Sequence, residues 1–182
     1  PGGGVCRLAL SPEDGAGRRL VVEWMRELGL DVTIDRIGNV RGLRAGRIDG
    51  PPVMIGSHID TVATGGLYDG NLGVLAGLEV IAALVEAEHL TRRPLAVAFF
   101  TNEEGARFAP DMMGSAVHQG SLDLDTALAA VDVDGRSVAE CLAAIGLAGD
   151  APPRTLTPHA DLELPGEAGP GLAREGVALG AE

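Results

Sequence analysis

Residues 54–71, MIGSHIDTVATGGLYDGN, decide how the chain is read. With Val53 before them they open as a short apolar run, the mark of a buried strand, and turn within three residues to Ser57, His58 and Asp60. Ionisable side chains at the end of a buried strand mark a site. Gly65, Gly66 and the Asp69-Gly70 pair are turn signals, and a new apolar periodicity starts after Asn71. His58 and Asp69 are therefore expected at the two ends of one loop, between a strand and a helix, where scaffolds tend to carry functional groups.

Working outward, residues 72–86 read as a helix whose apolar face is Leu72, Leu75, Leu78, Ile81, Ala82 and Val85. Residues 95–100 are almost all apolar and read as a strand buried on both faces. Strand, helix, strand in this order predicts an α/β fold, with a mostly parallel or mixed central sheet flanked by helices. Upstream, Ser11-Pro12-Glu13-Asp14 is a helix start with an acid placed for a capping box. Leu20, Val21, Trp24, Met25 and Leu28 then recur at helical spacing up to Gly29, with Trp24 read as a packed core residue. Residues 32–34 and 40–43 read as strands joined by a Gly38-Asn39 turn. Downstream, residues 112–120 suit a short helix, and Ser137 caps another over 138–145 that Gly146 ends. A strand starting at Asp161 is broken at Pro165-Gly166, and the glycine-rich tail has little periodicity.

At 182 residues one domain is the expected organisation. A net charge of -12, with 14 basic residues spread along the chain against 26 acidic ones, argues against nucleic acid or an anionic membrane as partner. Cys6 and Cys141 have no metal-like spacing and form no disulfide framework. With no signal-like start and no apolar run long enough to cross a bilayer, the chain reads as soluble and cytoplasmic.

The strand over 95–100 runs into Thr101-Asn102-Glu103-Glu104-Gly105. Two acids at the exit of a buried strand need partners or a metal, and in parallel sheets ligands gather at carboxyl strand ends. His58, Asp69 and one of Glu103 or Glu104 are the nitrogen and oxygen donors that zinc or a similar ion takes. If Asp69 bridges two ions about 3.5 to 4 Å apart, the pair would polarise a carbonyl and acidify a water, and the neighbouring acid would move the proton. Asp60 is placed to accept the other ring N–H of His58 and fix its tautomer. The competing reading is a set of solvated loop residues.

Gly56-Ser57-His58-Ile59-Asp60-Thr61-Val62, Gly65-Gly66-Leu67-Tyr68-Asp69-Gly70, residues Thr101 to Phe108 and Gly114-Ser115 together resemble the amidase branch of the M20 metallopeptidase family. That branch contains N-carbamoyl-L-amino-acid hydrolases, allantoate amidohydrolases and ureidoglycolate-type enzymes. The resemblance extends over the first helix, the Gly38-Asn39 turn, Leu162-Glu163-Leu164 and Arg174-Glu175-Gly176-Val177. It implies a zinc-peptidase-like catalytic domain and two divalent ions, zinc or manganese or cobalt. His58 would bind one ion, Asp69 would bridge, and Glu104 would bind the second. Glu103 would be the general base and Asp60 the support of His58. It also implies a small N-carbamoyl or ureido substrate and hydrolysis of a linear amide or ureido C–N bond.

Two departures bear on these expectations. Pro165 stands where the family pattern has a histidine ligand, and a proline offers a metal no lone pair. Residues 1–182 also correspond to an incomplete catalytic domain, without the dimerisation domain and the C-terminal part that completes the second metal site. Each ion would keep Asp69 and one other protein ligand, so low occupancy and impaired turnover are expected. Exposed apolar surface would then favour self-association or a complementing C-terminal half. His159 is the nearest substitute ligand but reads as a loop residue, His89 and His118 read as surface or helix-flanking, and His118 could border the cleft. The alternative reading is an inactive remnant serving as a binding or interaction module.

Overall fold

The structure, a computed structural model, describes residues 3–154, 157–164 and 174. The expectations at Pro165 and over 175–177 fall outside the described residues. Helix α1 (Pro12–Glu27) starts where the sequence places it: the Ser11 hydroxyl accepts from the Asp14 N–H at 3.2 Å, and Gly29 takes φ 75 beyond the last turn. Asp14 departs from a capping box. Its Oδ2 accepts from the N–H of Leu10, one residue before the cap, and from Arg18 Nε, each at 2.7 Å.

Strands β1 (Asp31–Ile34), β2 (Val40–Arg44), β3 (Val53–His58), β4 (Leu95–Phe100) and β5 (Ala160–Glu163) form one mixed sheet in the order β1-β2-β4-β3-β5. The β1–β2 and β2–β4 pairs are antiparallel, and β3 pairs parallel with both β4 and β5. Helix α2 (Asn71–Glu86) is the crossover between β3 and β4 and packs on both. Val40, Val97, Phe99, Val74 and Ile81 lie at the centre of the core between this sheet and helices α1 and α2.

Both helices bury part of the face that periodicity predicts, Val21 and Met25 on α1 and Leu78 and Ile81 on α2, but are rotated from it. On α1 the buried residues are Asp14, Gly15, Arg18, Val21, Val22 and Met25, while Leu20 and Trp24 lie at the surface, Trp24 with 37% of its area exposed. On α2 the buried row is Gly73, Val74, Gly77, Leu78 and Ile81, while Leu72, Leu75 and Val85 are exposed. Glycine explains the second difference. A Cβ on Gly77 would stand 3.2 Å from side chains of Ile55 and Val97, and one on Gly73 2.9 Å from Ser57 Cβ. The contact face is backbone, so it carries no hydrophobic signal in the sequence.

The last helices are α3 (Met113–Gln119), α4 (Leu124–Ala129) and α5 (Val138–Ile145). They gather Leu10, Ile37, Phe108, Met113, Val117 and Leu142 into a second cluster at one end of the sheet. Helix α4, capped by Asp123, has no counterpart among the elements expected from sequence. Helix α5 matches its expected span residue for residue and carries a complete capping box between Ser137 and Glu140. Ser137→Ala is accordingly expected to cost about 1 kcal/mol of stability, read from the midpoint of a urea titration. No helix among the described residues is long and apolar enough to cross a membrane.

Candidate metal centre

Parallel pairing of β3 with β4 sets His58 directly opposite Phe100, so both strands end at the same edge of the sheet. The segments that leave them, 58–60 and 101–104, therefore emerge side by side. The crossover returns the N-terminus of α2 to that edge and carries Asp69 with it. As a result His58, Asp69 and Glu104 each bring one ligand-type atom within 4.8 Å of the others.

His58 is held closely. Its Nδ1 lies 2.9 Å from the backbone oxygen of Asp60. A carbonyl oxygen only accepts, so Nδ1 carries the hydrogen and Nε2 is the ring nitrogen turned to the acidic side chains. Gly70 packs against the same ring so closely that a Cβ there would overlap it. Nε2 faces Glu103, whose Oε2 is 3.2 Å away.

The role expected of the Asp60 side chain is corrected by this geometry. The backbone carbonyl, not the carboxylate, meets the imidazole, and Asp60 Oδ1 stands 4.0 Å from Nδ1. The carboxylate faces the other segment and accepts from the N–H groups of Glu103 at 3.3 Å and Glu104 at 3.4 Å. Asp60 thus joins the two strand ends: its main chain orients the histidine and its side chain orients the acidic pair. Burial raises its pKa, and the positive charges of Arg18 and His58 oppose that rise.

The acidic pair sits beyond a tightly folded strand exit. Thr101 and Asn102 are fully buried, and Asn102 adopts φ 54, which swings the following residues out of the strand line. Its amide Nδ2 donates to the carbonyls of Phe108 and Pro110 at 2.9 and 3.0 Å. Burial raises the pKa of Glu103, with His58 opposing and Asp60, Glu163 and Asp69 adding to the rise. Glu104 is pushed up to about 7, by burial first and then by the hydrogen bond and negative charge of Asp69. Two carboxyl groups in contact cannot share a hydrogen bond without a proton between them.

A cavity of about 600 Å³ opens beside the cluster, with Ser57, Phe100, Glu103, Ser115 and His118 among its lining residues. His118 does border this cleft, with its Nδ1 2.7 Å from the Pro153 carbonyl and its ring 5.7 Å from that of Phe100. It is not one of the three clustered residues, and His89 and His159 are exposed. Two features of the site escape sequence reading. Ser57 donates to Glu163 Oε1 at 2.7 Å, tying β5 to the end of β3, and Gly70 makes room for the imidazole. A serine before a histidine and a glycine in a turn have many ordinary explanations, so neither stands out.

Fold and site together define an α/β domain with a histidine and carboxylate cluster at the carboxyl ends of adjacent parallel strands. The sequence pattern of Peptidase family M28 matches residues 39–153, which include every member of that cluster, and the chain belongs to this family. Over 179 residues it is 42% identical to the N-carbamoyl-L-amino-acid amidohydrolase of Rhizobium meliloti, covering 98% of this chain and 43% of that protein. The ureidoglycolate hydrolase of Arabidopsis thaliana is 35% identical over 99% of this chain and 40% of its own length. The crystal structure of a hydantoinase/carbamoylase family amidase from Burkholderia ambifaria superposes with a TM-score of 0.93, at 47% identity over 97% of this chain and 44% of that one. The chain thus spans less than half the length of these relatives. Their names, an amidohydrolase, a ureidoglycolate hydrolase and an amidase, are of the type the resemblance to the amidase branch implies.

Proposed function

We propose that His58, Asp69 and Glu104 hold divalent metal, and that the chain is the metal-bearing part of a hydrolase of linear amide or ureido C–N bonds. One observation carries this reading: an imidazole held through its Nδ1 brings a ligand-type atom within 4.8 Å of two carboxylates, next to Glu103 on a cavity wall. One nitrogen and two oxygen donors fit zinc, manganese or cobalt. With Asp69 bridging, two ions would share the set, His58 serving one and Glu104 the other. A divalent ion held there polarises a carbonyl and acidifies water. Glu103, beside the cluster and on the cavity wall, is the residue to take a proton at its carboxylate and hand it to a leaving nitrogen. The names of the relatives support a small N-carbamoyl or ureido substrate.

Metal content and calorimetric titration with zinc and manganese, with Asp69→Ala alongside, test the reading. Measurable binding that the variant loses is the expected result, and a parent chain that takes up neither ion would sink it. The titration should also depend on pH. Because Glu104 is raised to about 7, it is protonated below that pH and metal must displace the proton. Zinc affinity is therefore expected to fall about tenfold for each pH unit below 7 and to level off above it. An affinity independent of pH between 5.5 and 7, about one and a half pH units, would show that Glu104 gives up no proton on binding.

A further inference from the structure

We propose that Arg18 and Asn39 are positioning residues that clamp the end of β4 and so aim Glu103 and Glu104 at the cluster. The inference rests on the metal-dependent reading of that cluster. Neither side chain bonds to His58, Asp69, Glu103 or Glu104; both act on Thr101, two residues before the acidic pair.

Asn39, the second residue of the turn between β1 and β2, spends its whole carboxamide on three separate parts of the fold. Its Oδ1 accepts from the Thr101 N–H at 3.0 Å. Its Nδ2 donates to Asp35 Oδ2 and to the Gly114 carbonyl, each at 3.0 Å. Gly114 closes the loop by donating its own N–H to the Thr101 carbonyl at 2.8 Å. A side chain on Gly114 would collide with both Asn39 and Thr101, so the strand exit and the start of α3 touch through backbone alone.

Arg18 reaches the side chain of Thr101 rather than its backbone. It is wholly buried, paired with Asp14 at 2.7 Å, and its Nη1 donates to the Gly38 carbonyl at 2.7 Å and to Thr101 Oγ1 at 3.3 Å. The guanidinium also lies over the Phe99 ring, 5.4 Å from its centroid. Asp14 Oδ1 and Arg18 Nη2 have no partner among the described residues. A buried ion pair left partly unsatisfied is poor evidence of stabilisation, since apolar residues of similar volume often serve a core as well. What such residues would lack is the directed bond to Thr101.

With Thr101 fixed through backbone and side chain, the rest of the exit follows. The Asn102 and Glu103 carbonyls accept from Met113 and Met112 at 3.2 and 2.8 Å, and the Glu103 and Glu104 N–H groups go to Asp60. Glu103 and Glu104 are thereby set on a segment whose geometry is determined from three sides. Preorganisation of this kind is what a site needs from residues beyond its own ligands.

Two variants test the clamp in the 182-residue chain: Asn39→Ala, and the paired swap Asp14→Leu with Arg18→Met, which leaves no lone buried charge. Amide hydrogen exchange of the metal-free protein is expected to speed up at least about tenfold at Thr101, Glu103 and Glu104 and to stay unchanged in the middle of β3. Zinc affinity is expected to weaken about tenfold to a hundredfold with the thermal midpoint close to that of the parent. Unchanged exchange at Glu103 and Glu104 in a folded variant overturns the proposal. So does an acceleration shared equally by all core amides, or loss of folding in both variants, because either assigns the network to general stability. A parent chain that binds no zinc, with the exchange result intact, removes the metal reading and leaves the clamp standing.

Discussion

Gly70→Ala is expected to weaken zinc binding about a hundredfold or more, whereas Gly66→Ala, in the same loop, leaves it unchanged. The contrast is steric. A Cβ on Gly70 would overlap Cγ, Cδ2 and Nε2 of His58, while one on Gly66 would meet nothing within 4 Å. Conformation does not account for it, because Gly70 sits at φ -47 and ψ -27, angles any residue adopts. His58 has little freedom to yield, being buried and bonded through Nδ1 to Asp60. The added methyl group must therefore move either the ring or the start of α2, and each displaces a donor: Nε2 in the first case, the adjacent Asp69 in the second. Losing one of three donors should weaken zinc by about a hundredfold or more, beyond the usual effect of changing a supporting residue. Calorimetric titration of the two variants beside the parent gives the comparison, with thermal unfolding to confirm that both are folded. A Gly70→Ala chain that binds zinc within about threefold of the parent would mean that the cluster does not depend on this ring position.

How much of this was legible from sequence depends on where each signal resides. Helix α5 was readable to the residue because its start and stop are local chemistry, Ser137 with Glu140 at one end and Gly146 at the other. The existence of α1 and α2 was equally plain, but their buried faces were only partly so. Hydrophobic periodicity weighs side chains, and α2 meets the sheet through Gly73 and Gly77, so Leu72, Leu75 and Val85 were placed on the wrong side. Trp24 failed for a related reason: α1 has apolar residues on adjoining faces, and packing on β1 and β2 selects the row of Val21, Val22 and Met25. At the site, residue type and position pointed to His58, Asp69 and one of Glu103 or Glu104, the family resemblance singled out Glu104, and these three side chains do converge. Which atom of Asp60 meets the histidine was not readable, because it depends on how the main chain turns after β3. Asn39 was legible as a turn residue only; its reach to Thr101, 62 positions away, is a tertiary fact.

Glu103→Gln is expected to lower hydrolysis of an N-carbamoyl amino acid by about 10² to 10⁴-fold while leaving zinc affinity unchanged. Glutamine keeps the size of the side chain and a group able to bond His58, so the cluster should assemble as before. What it lacks is a carboxylate that can take up a proton. The surroundings of Glu103 favour proton uptake, because burial and the nearby charges of Asp60, Glu163 and Asp69 raise its pKa, with His58 opposing. A raised pKa makes the carboxylate a stronger proton acceptor, and the proton it takes from water is the one it passes to a leaving nitrogen. Its contact with His58 Nε2 at 3.2 Å has a further consequence, since that nitrogen is the donor proposed for metal. A metal held by that nitrogen would compete with Glu103 for it, and the Glu103 carboxylate lines the neighbouring cavity. The metal-loaded protein and its variant should therefore differ in rate and not in metal content. Rates that fall only in step with lost metal would make Glu103 a ligand, and equal measurable rates in the two proteins would remove it from the role of base.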